Sequence, residues 1–174
     1  MMEIPKGVSG RKSIRAYTDQ PLSSDDVETL IRAAQMAPSA GNMQPASFVA
    51  VTDRATREKL AAAAGGQAFV AQAPLVVVVC SEEARTTPRY GERGRSLYVL
   101  QDTAAAVMAV LVTAAHNGLG TCWVGAFDER SAAEAVGLPQ GIRPVALVPV
   151  GHSAKDPPPR PRRPLVEVLH RDHW

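Results

Sequence analysis

The first regular pattern of apolar and polar positions is a stripe at helical spacing, formed by Val27, Leu30, Ile31 and Ala34. A serine just before this stripe can cap a first turn, and two aspartates follow it, where they favour the positive end of a helix. Pro38 stands where it would stop the last turn. The pattern therefore predicts a helix from Ser24 to Ala37 that buries one face.

Four short apolar runs rich in β-branched residues predict strands, at Ser47–Val51, Leu75–Cys80, Thr121–Val124 and Val145–Val150. The second run contains no charged or amide residue, so it predicts a strand that is covered on both faces. Asp53 can cap a helix that follows the first strand and runs to Ala64. The glycines at 65 and 66 would end that helix.

The longest apolar segment, Tyr98–His116, predicts the longest helix. It is rich in alanine, and Asp102 is its one acidic residue. A helix that is apolar around most of its circumference is normally buried, either in a core or at a subunit interface. The segment after it, Asn117 to Gly120, has the residues that end helices.

The remaining segments are more polar. Residues 85–94 contain a proline and two glycines and are predicted to form a loop or a lid. Ser131 and Glu134 fit a capping box for a further short helix. A basic, proline-rich arm, residues 155–174, cannot join a central strand and is predicted to end in one helical turn.

The alternation of helices and strands favours a mixed α/β or α+β layered domain. The chain has 174 residues, shows no internal repeat and contains no linker between two cores. A length of this order predicts one domain, residues 1–174.

Composition and charge exclude several classes of function. The formal net charge is +2 and aromatic residues make up 5% of the chain, so neither an electrostatic footprint nor a stacking platform for nucleic acid is expected. No uninterrupted apolar run approaches the roughly 20 residues of a membrane span, and the N-terminus lacks a signal-peptide pattern. The prediction is a cytoplasmic protein whose two cysteines, Cys80 and Cys122, are buried thiols, with a disulfide between them left open.

Two basic clusters stand at opposite ends of the sequence. In an extended backbone Arg11, Ser13 and Arg15 share one face, and Arg160 and Arg162 do the same. Guanidinium and hydroxyl donors on one face suit a phosphate group. Each cluster taken alone can equally be a solvated surface segment, and one shared ligand requires the fold to bring the two together.

A polar turn, Pro38–Pro45, follows the first predicted helix. Ser39, Asn42 and Gln44 offer hydroxyl and amide groups that donate and accept hydrogen bonds, as the edge of a planar heterocycle requires. An ordinary Pro-Ser-Ala-Gly-Asn turn explains the same residues equally well. The histidines offer no third ligand beside His170 and His173, so no metal site is predicted.

Several motifs together resemble the FMN-dependent nitroreductase family, in the order in which that family has them. They are Arg11–Arg15, Ala37–Pro45, the helix from Asp102 with Gly118–Asp128 after it, Pro149–His152 and the basic tail Arg160–Pro164. The resemblance covers nearly the whole chain. It implies an α+β fold, a three-layer α/β/α sandwich with a central mixed sheet and a long buried central helix. It also implies a homodimer with FMN at the subunit interface.

Carried over position by position, the resemblance implies which residues bind FMN. Arg11, Lys12, Ser13, Arg160 and Arg162 would hold the phosphate, with Arg163 as the alternative to Arg162. Arg15 and Gln67 would lie at the pyrimidine edge. The ring and ribityl chain would contact Pro38, Ser39, Ala40, Asn42, Gln44, Trp123, Val124, Gly125 and Ala126, partly from the other subunit. Some family members have a glutamate where Gly125 falls, which leaves substrate preference open.

The activity that the resemblance implies is an oxidoreductase reaction with NADH or NADPH as donor. Hydride would pass through FMN to a small electron-poor acceptor such as a nitroaromatic or a quinone, and no side chain is expected to act as an acid or base. The alternative is a flavin carrier, a sensor or a flavin-consuming protein of the same fold. A third reading, outside flavin chemistry, is a dimeric adaptor whose proline-rich arm docks in an aromatic groove.

Overall fold

The computed structural model describes residues 2–174 and places helices on both faces of a four-stranded sheet. The helices are α1 (Lys6–Ser9), α2 (Ser24–Gln35), α3 (Arg54–Ala63), α4 (Ala68–Gln72), α5 (Glu83–Arg93), α6 (Val99–His116) and α7 (Glu129–Val136). The strands are β1 (Ala46–Val51), β2 (Leu75–Glu82), β3 (Gly120–Thr121) and β4 (Ile142–Gly151). Shorter pieces are 3₁₀ turns at Ala40–Asn42 and Leu165–Glu167 and a π-helical segment at Gly94–Tyr98.

The sheet has the strand order β1-β2-β4-β3, and its three strand pairs are antiparallel. The sequence predicts a mixed sheet, whereas the four strands pair only in the antiparallel direction. A parallel pairing occurs outside these strands, at an isolated bridge between Ser13 and Thr121. The α+β fold class is confirmed, because the helices pack on both faces of the sheet as separate layers.

Strand β2 shows how the three layers meet. Its odd-numbered residues, Leu75, Val77 and Val79, pack with α2 and α6, and its even-numbered residues pack with α3, α4 and α7. The five residues from Leu75 to Val79 have no exposed surface. The prediction that this apolar run is covered on both faces is therefore confirmed, although its neighbours are antiparallel.

Helix α6 is the long central helix that the sequence predicted. Val107, Val110 and Ala114 are fully buried against the sheet. Other apolar side chains of this helix are less covered, because Leu100 and Met108 remain 38% and 37% exposed. The helix therefore has an apolar face that this chain alone does not bury.

Residues 83–116 follow one helical path whose most apolar 18-residue window has a mean hydropathy of 1.6. By length and composition alone, this path is long enough to cross a bilayer. Core helices of globular proteins meet the same criteria, and the buried side of α6 packs on the sheet.

The prediction of a loop at residues 85–94 is wrong, because this segment is mostly helix α5. Charged side chains stabilise it in pairs about one turn apart, Glu82 with Arg85 and Glu92 with Arg95. Helix α5 is strongly polar and contains Pro88 and Gly91, residue types that normally interrupt helices, so its composition predicts a loop. Gly91, with a φ of 55°, bends the helix near its end.

Three smaller expectations also differ from the structure. Asp128, and not Ser131, caps α7, since its Oδ1 accepts the Ser131 N–H at 2.7 Å. Strand β3 is only two residues long, and Val124 joins the sheet through a separate bridge to Leu147. Helices α1 and α4 were not predicted, because four or five residues are too few to show a period.

Both cysteines are buried free thiols, as predicted. Cys80 lies in β2 and Cys122 follows β3, both on the side of the sheet covered by α3 and α7. The disulfide that the sequence left open is not formed.

Candidate functional site

The first basic cluster lies along the edge of the sheet because the chain from Ser13 pairs beside β3. The Ile14 N–H donates to the Thr121 carbonyl at 2.8 Å, and the Ile14 side chain is buried. The Tyr17 hydroxyl donates to the carbonyl oxygens of Ile14 and Pro149, at 2.8 and 3.2 Å. With Ile14 pointing inward, Ser13 and Arg15 point toward solvent.

Both basic clusters line the same cleft of about 460 Å³. Its walls are Ser9, Arg11, Lys12, Ser13, Arg15, Pro157, Pro158, Pro159, Arg160 and Arg162. The fold therefore brings together two ends of the chain, as a shared ligand requires. Arg163 does not line the cleft; its guanidinium pairs with Glu167 at 3.1 Å.

Among Arg11, Lys12, Arg160 and Arg162, it is Lys12 whose positive charge is paired with a carboxylate. Its Nζ lies 2.6 Å from Oδ1 of Asp156, at the start of the arm. The ion pair ties the arm to the N-terminal segment. We therefore see Lys12 as a tether for one wall of the cleft, and Arg11, Arg160 and Arg162 as its charged donors.

Arg15 connects the cleft to a second group of predicted residues. Its Cζ lies 5.8 Å from the centre of the Phe69 ring, within cation–π range. Burial raises the pKa of the Cys122 thiol, whereas the nearby charges of Arg15 and Arg11 act against that shift. Arg15 thus lies between the cleft and the segment that follows β3.

The segment Trp123–Ala126 forms the next part of the site. The Gln67 side-chain amide donates to the carbonyl oxygens of Ala64 and Ala126, at 2.9 and 3.4 Å, so Gln67 lies beside this segment. Val124 is buried, and its N–H donates to the Leu147 carbonyl at 2.9 Å. The backbone N–H groups that could donate a hydrogen bond to a ligand are therefore those of the exposed residues Trp123, Gly125 and Ala126.

The polar turn Pro38–Pro45 lines a different cavity. Pro38, Ser39 and Gln44 border a space of about 240 Å³ together with Phe48, Arg85 and Asp102. None of the residues around the 460 Å³ cleft borders this space. Within one chain the predicted residues of the basic clusters and those of the polar turn thus line two different cavities, and Gln67 and Trp123–Ala126 border neither of them.

Asp102 is a residue of this second region that the sequence did not assign to a function. Its Oδ1 accepts the Ala40 N–H at 3.1 Å, and its Oδ2 is buried without a hydrogen-bond partner. Burial raises the pKa of this carboxyl, and the Ala40 N–H opposes that shift. The available signal was its position as the one acidic residue of an apolar helix. Phe69 was missed because it lies in the short helix α4, which was not predicted.

Comparisons with known proteins identify the family of this chain. The sequence profile of the Nitroreductase family matches residues 8–70 and 61–152. The chain belongs to the nitroreductase family. The resemblance drawn from the motifs is therefore confirmed.

Individual members of the nitroreductase family match most of this chain. An oxygen-insensitive NADPH nitroreductase of Salmonella typhimurium is 32% identical, over 95% of this chain and 72% of its own length. An FMN reductase (NAD(P)H) of Bacillus subtilis is 29% identical, over 100% of this chain and 75% of its own. The structure of the NADPH:FMN oxidoreductase of Vibrio harveyi in complex with NAD+ superposes with a TM-score of 0.87 at 27% identity, covering 97% and 76% of the two chains.

Gly120 provides a test of how this nitroreductase-family chain positions its N-terminal segment. A Cβ at Gly120 would lie 2.7 Å from Cγ1 and 2.9 Å from Cβ of Ile14, which is buried and cannot withdraw. Gly120→Ala should therefore destabilise the protein by about 1–3 kcal/mol, as overpacking does. It should also weaken the binding of a ligand in the cleft, because a shift of Ile14 displaces its neighbours Ser13 and Arg15. Urea unfolding and ligand titration measure the two effects.

Gly125→Ala is the matched control for this substitution. A Cβ there would meet only Nε1 of Trp123, at 3.8 Å. We expect its stability to stay close to that of the unmodified chain. Equal stability of the two alanine variants would show that Ile14 is not held against Gly120.

Proposed function

We propose that this chain is an FMN-dependent oxidoreductase. It takes hydride from NADH or NADPH and reduces electron-poor acceptors such as nitroaromatics and quinones. The observation that carries the proposal is the cleft in which Arg11, Ser13, Arg160 and Arg162 converge, next to Arg15. The names of the relatives from Salmonella and Bacillus support the same reaction.

The chemistry of the cleft fits the phosphate end of FMN. Its polar lining consists of Arg and Lys cations and serine hydroxyls, and no Asp or Glu is among its lining residues within residues 2–174. Guanidinium groups bind phosphate oxygens in pairs, and hydroxyls add further donors. A dianionic phosphate would therefore meet charge-assisted hydrogen bonds from both basic clusters.

The flavin ring would lie beyond Arg15, along Trp123–Ala126. Bound FMN would supply the two-electron chemistry between the nicotinamide donor and the acceptor. The positive charge of Arg15 beside the ring would favour the negative charge that develops on reduction. Exposed backbone N–H groups near Gly125 would orient the ring. No residue is assigned as an acid or base, so this chain contributes binding, orientation and electrostatics.

We also propose that the working unit is a homodimer with two shared sites. In one chain the polar turn and the basic cleft border separate cavities, so a site that contains both would combine the cleft of one chain with the turn of the other. The uncovered apolar side of α6, with Leu100 and Met108, supports an interface between subunits. So does the arm, where Leu165, Val166 and Val168 are more than half exposed.

Mixed dimers test the shared site. One chain carries Arg11→Ala and Arg162→Ala in the cleft, and the other carries Ser39→Ala and Gln44→Ala in the turn. A mixed dimer should regain one intact FMN site of two, since the unmodified cleft of one chain faces the unmodified turn of the other. A homodimer in which each chain carries all four substitutions should contain no intact FMN site. No recovery in the mixed dimer would show that each site belongs to one chain.

Steady-state kinetics test the activity. The FMN-reconstituted protein should oxidise NADH or NADPH in the presence of a nitroaromatic or quinone acceptor, with the parallel double-reciprocal plots of a ping-pong reaction. If neither donor is oxidised with any such acceptor, the oxidoreductase proposal fails. Tight FMN binding without reduction would instead favour a flavin carrier or sensor.

Two coarser proposals accompany this function. We place the protein in the cytoplasm, which the free, buried state of both cysteines supports, because thiols persist in reducing compartments. We also treat residues 1–174 as a single domain, with the arm 155–174 as its extension. The substrate would be a small molecule, and neither nucleic acid nor membrane is proposed as a partner.

A further inference from the structure

The polar turn has a strained backbone. Asn42 and Gln44 have φ values of 56° and 49°, in the left-handed region, and Gly41 between Ala40 and Asn42 has a φ of 55°. This conformation is unfavourable in free energy for any residue other than glycine, and it persists only where the surrounding structure imposes it. Groups outside the turn must therefore hold it in place.

Some of the hydrogen bonds that stabilise the turn are internal. Ser39 Oγ accepts the Gln44 N–H at 3.0 Å, and the Ser39 carbonyl accepts the Asn42 N–H at 2.9 Å. These bonds fix the shape of the turn but do not attach it to the core. The end of the turn is attached where the Glu82 N–H donates to the Pro45 carbonyl at 2.8 Å.

The beginning of the turn is attached by Asp102. Its Oδ1 accepts the Ala40 N–H at 3.1 Å, so a side chain of the central helix holds Ala40, the residue at which the 3₁₀ turn begins. Asp102 is 9% exposed, and its Oδ2 has no partner. A buried carboxylate with one hydrogen bond is a poor way to stabilise an apolar helix, because desolvation outweighs a single bond. The residue is better explained by the turn that it holds.

We propose that Asp102 is a positioning residue. Through the Ala40 N–H it holds the polar turn where Ser39, Asn42 and Gln44 reach the flavin in the cleft of the partner subunit. The inference rests on the proposed function, since the turn has a ligand only if the shared FMN site exists. Asp102 itself does not touch the flavin.

The test compares FMN binding to the apoprotein forms of three variants. Asp102→Ala removes the acceptor and should raise the Kd for FMN by about tenfold or more, the effect of one lost buried hydrogen bond. Asp102→Asn keeps an oxygen that can accept the Ala40 N–H and should stay within about threefold of the unmodified protein. Thr103→Val is the control, because this neighbouring hydroxyl is buried and bonds only to the Val99 and Leu100 carbonyls.

A second variant covers the case in which Asp102→Ala does not fold. Ala40→Pro removes the donated N–H and leaves the carboxyl in place. Proline suits this position, because Ser39 before it is extended (φ −140°, ψ 153°) and Ala40 begins a 3₁₀ turn. It should weaken FMN binding to a similar extent. In the double variant Ala40→Pro with Asp102→Ala, the two losses of FMN affinity should not add, because both substitutions break the same hydrogen bond.

Hydrogen exchange of the Gly41–Gln44 amides gives a readout that does not need flavin. Asp102→Ala should accelerate this exchange, whereas Asp102→Asn and Thr103→Val should not. If Asp102→Ala binds FMN as tightly as Thr103→Val does, the positioning role is wrong. If the unmodified protein binds no FMN, the proposed function fails, and with it the role of Asp102 toward flavin. Faster exchange in Asp102→Ala would then show only a structural contact.

Discussion

Replacing both Arg11 and Arg162 with alanine should raise the Kd for FMN by roughly 10²- to 10⁴-fold. Both residues line the 460 Å³ cleft, one from each basic cluster. A charge-assisted hydrogen bond contributes about 1.5–3 kcal/mol, and losing two of them gives this range. Fluorescence titration of the apoprotein with FMN measures the change.

Two surface arginines provide the matched control for this pair. Arg54 and Arg130 each pair with a glutamate one turn away on their own helix and lie outside the cleft. Their double alanine variant removes the same charge and should leave the Kd for FMN within about twofold, since exposed pairs contribute little. If both double variants bind FMN equally well, the cleft is not the phosphate site.

Replacing Arg15 with alanine should lower the reduction potential of bound FMN by about 30–70 mV. A unit charge about 5 Å from the reduced ring contributes up to about 3 kcal/mol at an effective dielectric constant of about 20. For a two-electron couple, about 30 mV corresponds to 1.4 kcal/mol. Oxidised FMN should bind with little change, because the proposed phosphate donors are Arg11, Arg160 and Arg162, whereas the Arg15 guanidinium lies over the Phe69 ring.

Arg15→Lys is the conservative companion. It keeps the positive charge, so its potential should lie much closer to that of the unmodified protein than to that of the alanine variant. Xanthine oxidase titration against a reference dye measures the potentials. If Arg15→Ala weakens the binding of oxidised FMN strongly and leaves the potential unchanged, Arg15 contacts the phosphate.

The layered fold was predictable because its core elements carry long, regular patterns. The stripe of α2, the apolar run of β2 and the alanine-rich α6 are all buried where the sequence predicts. The polar helix α5 lies on the surface, is stabilised by local charge pairs and contains Pro88 and Gly91, residue types that normally interrupt helices. Its composition therefore indicates a loop.

The two arginine clusters were predictable as groups, but their shared cleft was not. Spacing alone places Arg11, Ser13 and Arg15 on one face, yet only the path of the chain after β4 brings Arg160 and Arg162 into the same cleft. The same path turns Lys12 toward Asp156, which no local pattern indicates. The separation of the polar turn from this cleft likewise depends on the tertiary fold.

The most direct test of the proposed function is a visible absorption spectrum during anaerobic addition of NADPH and then of NADH. We expect an FMN spectrum, either as purified or after reconstitution, that bleaches within the mixing time or shortly after one donor is added. An FMN spectrum that persists with both donors would contradict the oxidoreductase function and leave a flavin-binding protein. A protein that takes up no FMN at all would contradict the site itself.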